Sequence, residues 1–298
     1  MSYLLPALRL LLAIAFMGAA VRPEEAAAER IAWKLQTGDR LQVTTEQTVV
    51  TNTTYTGAAV ESTLSFHIES EWKVTGVADD GFELSQTITR AKVELQTPKN
   101  DPLAYDSADE KRLTGAARQL QAALQPLVGL TAKVKLSPRG EILSAELPAE
   151  LSEANKSSGK DAMQAVSAET LKNQLTKALV ILPEGDVDVE ATWDGHSVSK
   201  LPVGEVKTAK NYKLAGIDDA DNQQVARIEA DGTVQVTTKG NLKVTDSRLQ
   251  QTALFSFAEG IVTSSEQTVK MKTESPYRET TIVVDMAMTL KHTLKRIE

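Results

Sequence analysis

The residues that could perform general acid–base or nucleophilic chemistry in this chain do not form a catalytic pattern. Its histidines are His67, His196 and His292, and the absence of cysteine excludes a cysteine nucleophile. A serine nucleophile needs an adjacent base, and the chain has no Gly-x-Ser-x-Gly elbow. His67 lies on the polar face of a predicted strand, His196 in a predicted turn, and His292 on an apolar strand face. We therefore assign no catalytic residue.

Metal and cofactor motifs are missing from the sequence as well. No His-x-x-x-His or His-Glu-x-x-His spacing is present, and zinc sites without cysteine rely on such histidines. The acidic run 218–222 resembles a calcium loop. Its twelfth position, counted from Asp219, is Ala230, where that loop requires a bidentate glutamate. Glycine-rich phosphate loops are also absent. The sequence predicts no metal site and no cofactor.

Two methionines on the last predicted strand are the candidate ligand-binding residues. They are Met286 and Met288, and they share an apolar face with Ile282, Val284, Leu290, His292 and Leu294. Methionine side chains are flexible and polarisable, so they suit irregular apolar partners. If the sheet curves, this face lines a groove for a lipid-like ligand. The alternative is that helices cover the face and that it is ordinary core.

Alternation of apolar and polar residues predicts that long strands build most of the chain. In a clear example, the apolar residues of one predicted strand all fall on the same face: Leu64, Phe66, Ile68, Trp72 and Val74. A period of two indicates a strand with one buried face, and this strand ends at the turn 79–81. In the next strand, 82–95, the apolar parity changes between Ile88 and Ala91. Such a change predicts a β-bulge and a curved sheet.

Two helices are predicted between the strands. Ser107 and Glu110 form a capping box, and an apolar stripe follows them, so the first helix is predicted over 108–125. The second helix is predicted from a Ser167 cap to Leu182, with Pro183 after it. Because each helix has a single apolar stripe, each needs a surface to cover, and the curved sheets provide one.

Local matches between two parts of the chain predict a duplicated architecture. Trp72-Lys73 with Gly76 resembles Tyr212-Lys213 with Gly216, although hairpins also acquire such patterns without common ancestry. We predict an α+β fold with predominantly antiparallel curved β-sheets in two related halves, each with a packed helix. The predicted boundaries are 21–148 for the first half, 149–166 for a linker, and 167–298 for the second half with its leading helix.

The first residues of the chain predict export. Residues 1–20 contain an apolar run that ends with Gly18 and Ala20, which suits cleavage by a signal peptidase. An uncleaved anchor is the alternative. Pro6 and Arg9 interrupt the apolar run, so we expect no stable membrane span in the mature chain. The absence of cysteine excludes a lipobox and disulfides and favours a bacterial periplasm or cell surface.

The net charge limits the classes of partner. The formal net charge is −7, and removal of residues 1–20 takes away only Arg9, which leaves −8. A charge of this sign argues against binding to nucleic acid or to anionic lipid surfaces. Aromatic residues make up only 4% of the chain and form no stacking series, which also disfavours single-stranded nucleic acid.

Several short segments carry a family resemblance. They are Trp33 with Gly38-Asp39, Trp72-Lys-Val-x-Gly76-Val, Tyr105-Asp-Ser107, Pro126-Leu-Val-Gly129, Leu-Ser-Pro-Arg-Gly140, and Leu182-Pro183 with Gly185 and Trp193. Together they resemble exported proteins with a domain of unknown function that are abundant in planctomycetes and related bacteria. This resemblance implies export and a β-rich fold, and it transfers no activity or site residue.

These observations favour a non-enzymatic exported envelope protein that binds a partner protein or an apolar ligand. A structural or scaffolding envelope protein is the first alternative. A hydrolase that uses an Asp/Glu pair is the second, and it is weaker because no pair stands out among the many carboxylates of an acidic chain. A binding module needs an open apolar groove, whereas a scaffold needs only a filled core.

Overall fold

The chain folds as one continuous antiparallel β-sheet. The computed structural model describes residues 30–98, 100–109, 113–148, 168–201, 204–220, 223–238 and 241–298. The strands of these residues are β1 (Arg40–Tyr55), β2 (Ala58–Ala78), β3 (Gly81–Thr97), β4 (Asn100–Asp106), β5 (Thr131–Leu136), β6 (Ile142–Glu146), β7 (Thr192–Leu201), β8 (Gly204–Ala220), β9 (Gln223–Thr238), β10 (Lys243–Ser256), β11 (Ile261–Tyr277) and β12 (Thr280–Ile297). Their helices are α1 (Gly115–Leu124), followed by a 3-10 turn (Gln125–Leu127), and α2 (Ala168–Ala178).

Neighbours in the sheet are mostly neighbours in sequence. The order across the sheet is β6-β5-β3-β2-β1-β12-β11-β10-β9-β8-β7. β4 and β5 share one edge of β3, where they pair with different parts of that strand. From β7 to β12 the chain is a meander in which each strand pairs with the next. The pairing of β1 with β12 then joins the beginning of the sheet to its end.

The predicted α+β fold with two related halves is wrong. β1 and β12 pair along almost their whole lengths, from Arg40↔Ile297 to Thr54↔Val283. Each predicted half therefore supplies a neighbour for a strand of the other half, and the two form one sheet. Periodicity shows which face of a strand is buried but not which strand lies beside it. For this reason the sequence pattern predicted two separate halves where there is one sheet. The predicted signal peptide, 1–20, and linker, 149–166, lie outside the described residues.

The described helices do not cover one half each. α1 contacts β4, whereas α2 contacts β6, β7 and β12. Because β6 and β7 are the two edges of the sheet, the sheet must curl around α2. We call the face that α2 contacts the concave face. Among the described residues, no helix has both the length and the apolar character needed to cross a membrane.

The segment that follows α2 also links the two edges of the sheet. Leu182 N–H donates to the carbonyl of Arg139, in the β5–β6 turn, at 2.7 Å. Arg139 Nε in turn donates to the Leu182 carbonyl at 2.8 Å. From β7, Trp193 Nε1 donates to the Ile181 carbonyl at 2.8 Å. These hydrogen bonds hold the curled sheet together at the end that contains the main core.

β-Bulges interrupt the long strands, as the parity change in the sequence predicts. One bulge lies between Ile88 and Arg90 in β3, where Thr89 has no partner in β2. This confirms the bulge predicted for this strand. Two further irregularities precede Gly76 in β2 and Gly216 in β8. Because a bulge bends and twists its strand, these positions contribute to the curvature of the sheet.

The main hydrophobic core fills one end of the concave face. Its large side chains include Trp72, Tyr212 and Phe255, all of which are fully buried. The chain that leads into β1 packs on the same core through Ile31 and Trp33. Trp33 and Trp72 are thus both part of the main core. A second, smaller buried cluster lies apart from the main core and consists of Val234, Leu249 and Val269.

Both predicted helices exist, but their boundaries differ from the prediction. α1 begins at Gly115 and not at 108. Ser107 does not cap it: its Oγ accepts a hydrogen bond from the Ala91 amide at 3.0 Å, because β4 pairs with β3 at this point. α2 ends at Ala178, and in the non-helical segment that follows, Leu179, Val180 and Leu182 are buried in the main core.

Candidate functional site

A cavity of about 280 Å³ lies on the concave face, between the sheet and the carboxyl-terminal end of α2. Side chains from β1 and from β7 to β12 form its wall. The apolar lining comprises Val49, Val206, Val234, Val236, Leu249, Val269, Met271, Met286 and Met288. The polar lining comprises Gln47, Thr176, Lys177, Ser197, Thr208, Lys210 and Gln267. The smaller hydrophobic cluster is thus one wall of this cavity.

The alternation of β12 places Met286 and Met288 in the lining. Met288 lies opposite Val49 of β1 and Val269 of β11, and Met286 lies opposite Met271 of β11. Since directly opposed residues of antiparallel strands share a face, these side chains form apolar rows that cross three strands. The apolar face predicted from the sequence therefore lines a cavity. Ligand binding by the two methionines stays a prediction.

Hydrogen-bonded polar side chains separate this cavity from the main core. We call them the polar belt, and they are Thr45, Lys210, Gln251, Ser265, Gln267 and His292. All of them except Thr45 are buried. On β12, for example, His292 lies between Met288 of the cavity and Leu294 of the core. Because buried polar groups do not strengthen a core as apolar groups do, these side chains mark the boundary between the main core and the cavity.

Lys210 is a buried cation whose partners are neutral. The residue is 8% exposed, and Nζ donates to Gln251 Oε1 at 2.8 Å and to Gln267 Oε1 at 2.7 Å. Gln251 Nε2 in turn donates to Ser265 Oγ at 2.8 Å. Nζ also lies 5.9 Å from the centroid of the Tyr212 ring. Because burial desolvates the ammonium group, the pKa of Lys210 falls to about 7.

Lys177 brings a second positive charge to the cavity. It belongs to the last turn of α2 and lies exposed at the rim. Desolvation by the surrounding protein lowers its pKa. The described lining contains no Asp or Glu that could balance Lys177 or Lys210. The cavity is therefore apolar along its walls and positive at its ionisable groups.

His292 is the neutral histidine of the polar belt. It is 1% exposed, and burial lowers its pKa to about 4. Its Nδ1 lies 2.9 Å from Thr45 Oγ1, and its ring centroid lies 6.3 Å from that of Trp72. The ring lies on the apolar face of β12, as the sequence predicts for His292. The uncharged imidazole suits a position between an apolar core and an apolar cavity.

The other predicted polar residues lie away from the cavity. His67 is on the opposite face of the sheet, where its ring nitrogens lie 3.3 Å from Glu46 Oε1 and 3.0 Å from Glu69 Oε1. This confirms its predicted position on the polar face of β2. His196 lies within β7, so the predicted turn at this residue is wrong. In the part of the chain that the structure describes, no three metal-ligating side chains come together.

Lys210 is the site residue that sequence reasoning missed. In β8 it shares its parity with Val206, Tyr212 and Leu214, so the pattern itself places a lysine on an apolar face. Lysine is almost never fully buried unless it is paired, and such a position is therefore a usable signal of function. Its partners lie on β10 and β11, and they become visible only when the strands are assembled.

The fold and the cavity define a class of protein: a curled antiparallel sheet with an apolar cavity on its concave face. The chain belongs to the family of unknown function DUF6263, whose model matches residues 79–296. The predicted domain of unknown function is thereby confirmed, while the planctomycete and export parts of the resemblance stay predictions. No curated protein matches the sequence.

A solved structure of another protein shows a related fold. A lipovitellin structure, which concerns lipid–protein interactions, matches with a TM-score of 0.51 and 11% identity over 88% of this chain and 26% of that chain. The present chain thus spans about a quarter of that protein (26%), and the likeness shows the fold alone. An outer membrane channel from Pseudomonas putida F1 matches with a TM-score of 0.23 and 10% identity, over 89% of this chain and 97% of that chain. A DUF1329 family protein from Desulfovibrio piger has a TM-score of 0.14 and 10% identity, over 85% of each chain. The last two TM-scores are too low to indicate a shared fold.

Proposed function

We propose that this protein is a non-enzymatic, exported envelope protein that binds an apolar ligand in the concave-face cavity. The observation that carries this proposal is the cavity of about 280 Å³ with walls of valine, leucine and methionine. Protein interiors are packed as densely as organic crystals, so an apolar space of this size on the covered face of a sheet favours a ligand site. Met286 and Met288 are the proposed contacts, because flexible thioethers adapt to an irregular apolar ligand.

The size of the cavity limits the ligand class. Small-molecule pockets typically measure about 300–1,000 Å³, and the cavity, at about 280 Å³, lies just below this range. We therefore favour a single apolar chain over a lipid with several chains. A lipid class agrees with the related fold of lipovitellin, whose structure concerns lipid–protein interactions in that protein.

The cavity also bears on the alternative functions. A scaffolding protein predicts a filled core without a groove, so the cavity favours a binding module. A carboxylate-based hydrolase needs two carboxyl groups that face each other across a cleft, and the described lining contains no Asp or Glu. A partner protein would need a broad apolar surface, whereas the small volume of the cavity favours a small ligand.

Titration with the neutral fluorescent probe N-phenylnaphthylamine tests the proposal. We expect saturable binding of one probe per protein, with bright emission from an apolar environment. Met288→Trp fills the cavity, and it is expected to weaken probe binding about tenfold or more. Ala287→Trp is the matched control, because it adds the same side chain on the exposed, opposite face of β12.

Two results would contradict this function. One is the absence of saturable probe binding to the wild-type protein. The other is equal probe binding by wild type, Met288→Trp and Ala287→Trp, provided that circular dichroism shows the same β-sheet content in all three.

Export is tested separately by fractionation of bacterial cells that express the full chain. A periplasmic or surface fraction that contains a protein beginning at Val21 supports it, and a cytoplasmic protein beginning at Met1 opposes it.

A further inference from the structure

We propose that the ligand is a single-chain amphiphile with an anionic head group, and that Lys210 binds this head group. The inference rests on the proposed function, since it names the class of ligand that the apolar cavity takes. It assigns the apolar chain to the valine and methionine walls and the head group to the polar belt at the edge of the cavity.

The first support is the hydrogen bonding of the Lys210 ammonium group. A lysine ammonium carries three N–H donors, and in the described residues two of them reach Gln251 and Gln267. The donor that is left belongs to a group that lines the cavity. Charge-assisted hydrogen bonds are stronger than neutral ones, so an anionic ligand atom is the most favourable acceptor for this donor.

The second support is the charge balance of the cavity. A buried ammonium without a counter-ion is unfavourable, and among the described residues no carboxylate pairs with Lys210 or lines the cavity. Lys177 adds a further positive charge at the rim. The chain as a whole has a formal net charge of −7, so the positive charge at the cavity is opposite in sign to the net charge of the chain. Charge complementarity therefore favours an anion inside the cavity.

The third support is the order of residues along β8. Lys210, Thr208 and Val206 follow one another on the concave face, and all three line the cavity. At about 3.3 Å per residue, the path from Lys210 to Val206 measures about 13 Å. Val234 and Val236 run beside it on β9. An extended chain whose head group contacts Lys210 therefore meets apolar walls along its length.

Binding is expected to depend on pH, because only the ammonium form of Lys210 attracts an anion. The groups that face Lys210 are Gln251 of β10, Gln267 of β11 and Tyr212 of its own strand, all uncharged at neutral pH, and α2 contributes Lys177. Since the pKa of Lys210 is about 7 in the free protein, anion affinity should fall as the pH rises above this value. Affinity for a neutral chain of the same length should change little.

Displacement of N-phenylnaphthylamine by dodecanoate and by dodecanol tests this inference. At pH 6 we expect dodecanoate to bind the wild-type protein about tenfold or more tightly than dodecanol. Lys210→Met should remove this preference while it retains binding of the neutral probe. Lys207→Met is the matched control, because Lys207 is exposed on the other face of β8, and it should keep the preference.

The outcomes separate the inference from the proposed function. If the wild-type protein binds the probe but binds dodecanoate and dodecanol with equal affinity, the inference is overturned and the proposed function stands. A preference for dodecanoate that survives in Lys210→Met also overturns the assignment of Lys210. Failure of probe, dodecanol and dodecanoate to bind overturns the function itself. If Lys210→Met does not fold, the pH profile of the wild type decides: loss of the preference above pH 8 supports the inference, and a constant preference opposes it.

Discussion

The buried charge of Lys210 disfavours the folded state of the free protein. Its ammonium group is buried between two glutamine oxygens, and its pKa falls from 10.5 to about 7 because burial disfavours the charge. Replacement of a buried ion by an apolar side chain of similar size is often stabilising. Residues that lower the stability of the free protein are common at functional sites, and Lys210 fits this description.

We expect Lys210→Met to raise the free energy of unfolding at pH 7 by about 1–4 kcal/mol, because removal of the desolvated ammonium group outweighs the loss of its hydrogen bonds to the two glutamine oxygens. The unfolded chain keeps the lysine proton up to a pKa near 10.5, whereas the folded chain loses it near 7. The unfolded state therefore binds more protons in this interval, and the wild-type protein gains stability as the pH rises from 7. The variant lacks this group, so its gain should be smaller. Urea unfolding at pH 7, 8 and 9 measures both effects.

Lys207→Met is again the control for this prediction. Lys207 is exposed and forms a surface ion pair with Glu205 at 3.3 Å. Such pairs contribute little to stability, so the expected change is within about 0.5 kcal/mol. A Lys210→Met protein that is less stable than the wild type at pH 7, with an unchanged pH slope, would contradict the description of Lys210 as an uncompensated buried cation.

The faces of individual strands could be predicted from the sequence, because a core imposes a period of two on any strand that covers it. Trp72 and Val74 of β2 and Leu290 and Leu294 of β12 are buried as their parity predicts. The start of α1 could not be predicted in this way. Ser107 carries a capping signal, but the pairing of β3 with β4 engages its hydroxyl. A tertiary contact thus overrides a local propensity.

The segment after α2 is expected to contribute to stability through Arg139. We expect Arg139→Ala to lower the free energy of unfolding by about 1–2 kcal/mol, because a buried carbonyl, that of Leu182, loses its guanidinium donor at 2.8 Å. Its ion pair with the exposed Glu184 adds little. Urea unfolding at neutral pH, with Arg248→Ala at an exposed position of β10 as the control, measures the effect. Equal stability of the two variants would show that this link does not hold the sheet edges together.

The arrangement of the whole sheet could not be derived from periodicity. The segments around Gly76 and Gly216, which suggested a duplication, each contain a bulge directly before the glycine. Their likeness follows from similar strand geometry and does not require two sheets. The pairing of β1 with β12 joins residues from opposite ends of the chain, and local patterns contain no information about such partners.

Only part of the cavity could be predicted from the sequence, because local patterns do not show which strands lie side by side. Met286 and Met288 lie on one strand with strong alternation, so their shared face was visible in the sequence. Lys210, Gln251 and Gln267 lie on three different strands, and their hydrogen bonds form only when β8, β10 and β11 occupy one curled sheet. The site therefore depends on the architecture of the whole molecule.

Nuclear magnetic resonance of the methionine methyl groups tests the central claim most directly. The full chain, labelled with carbon-13 at these methyl groups, is titrated with dodecanoate at pH 6, and signals are assigned by single Met→Leu substitutions. We predict that the signals of Met271, Met286 and Met288 shift together and saturate near one ligand per protein, since all three line the cavity. Unchanged signals from these three methyl groups at saturating dodecanoate would contradict the account.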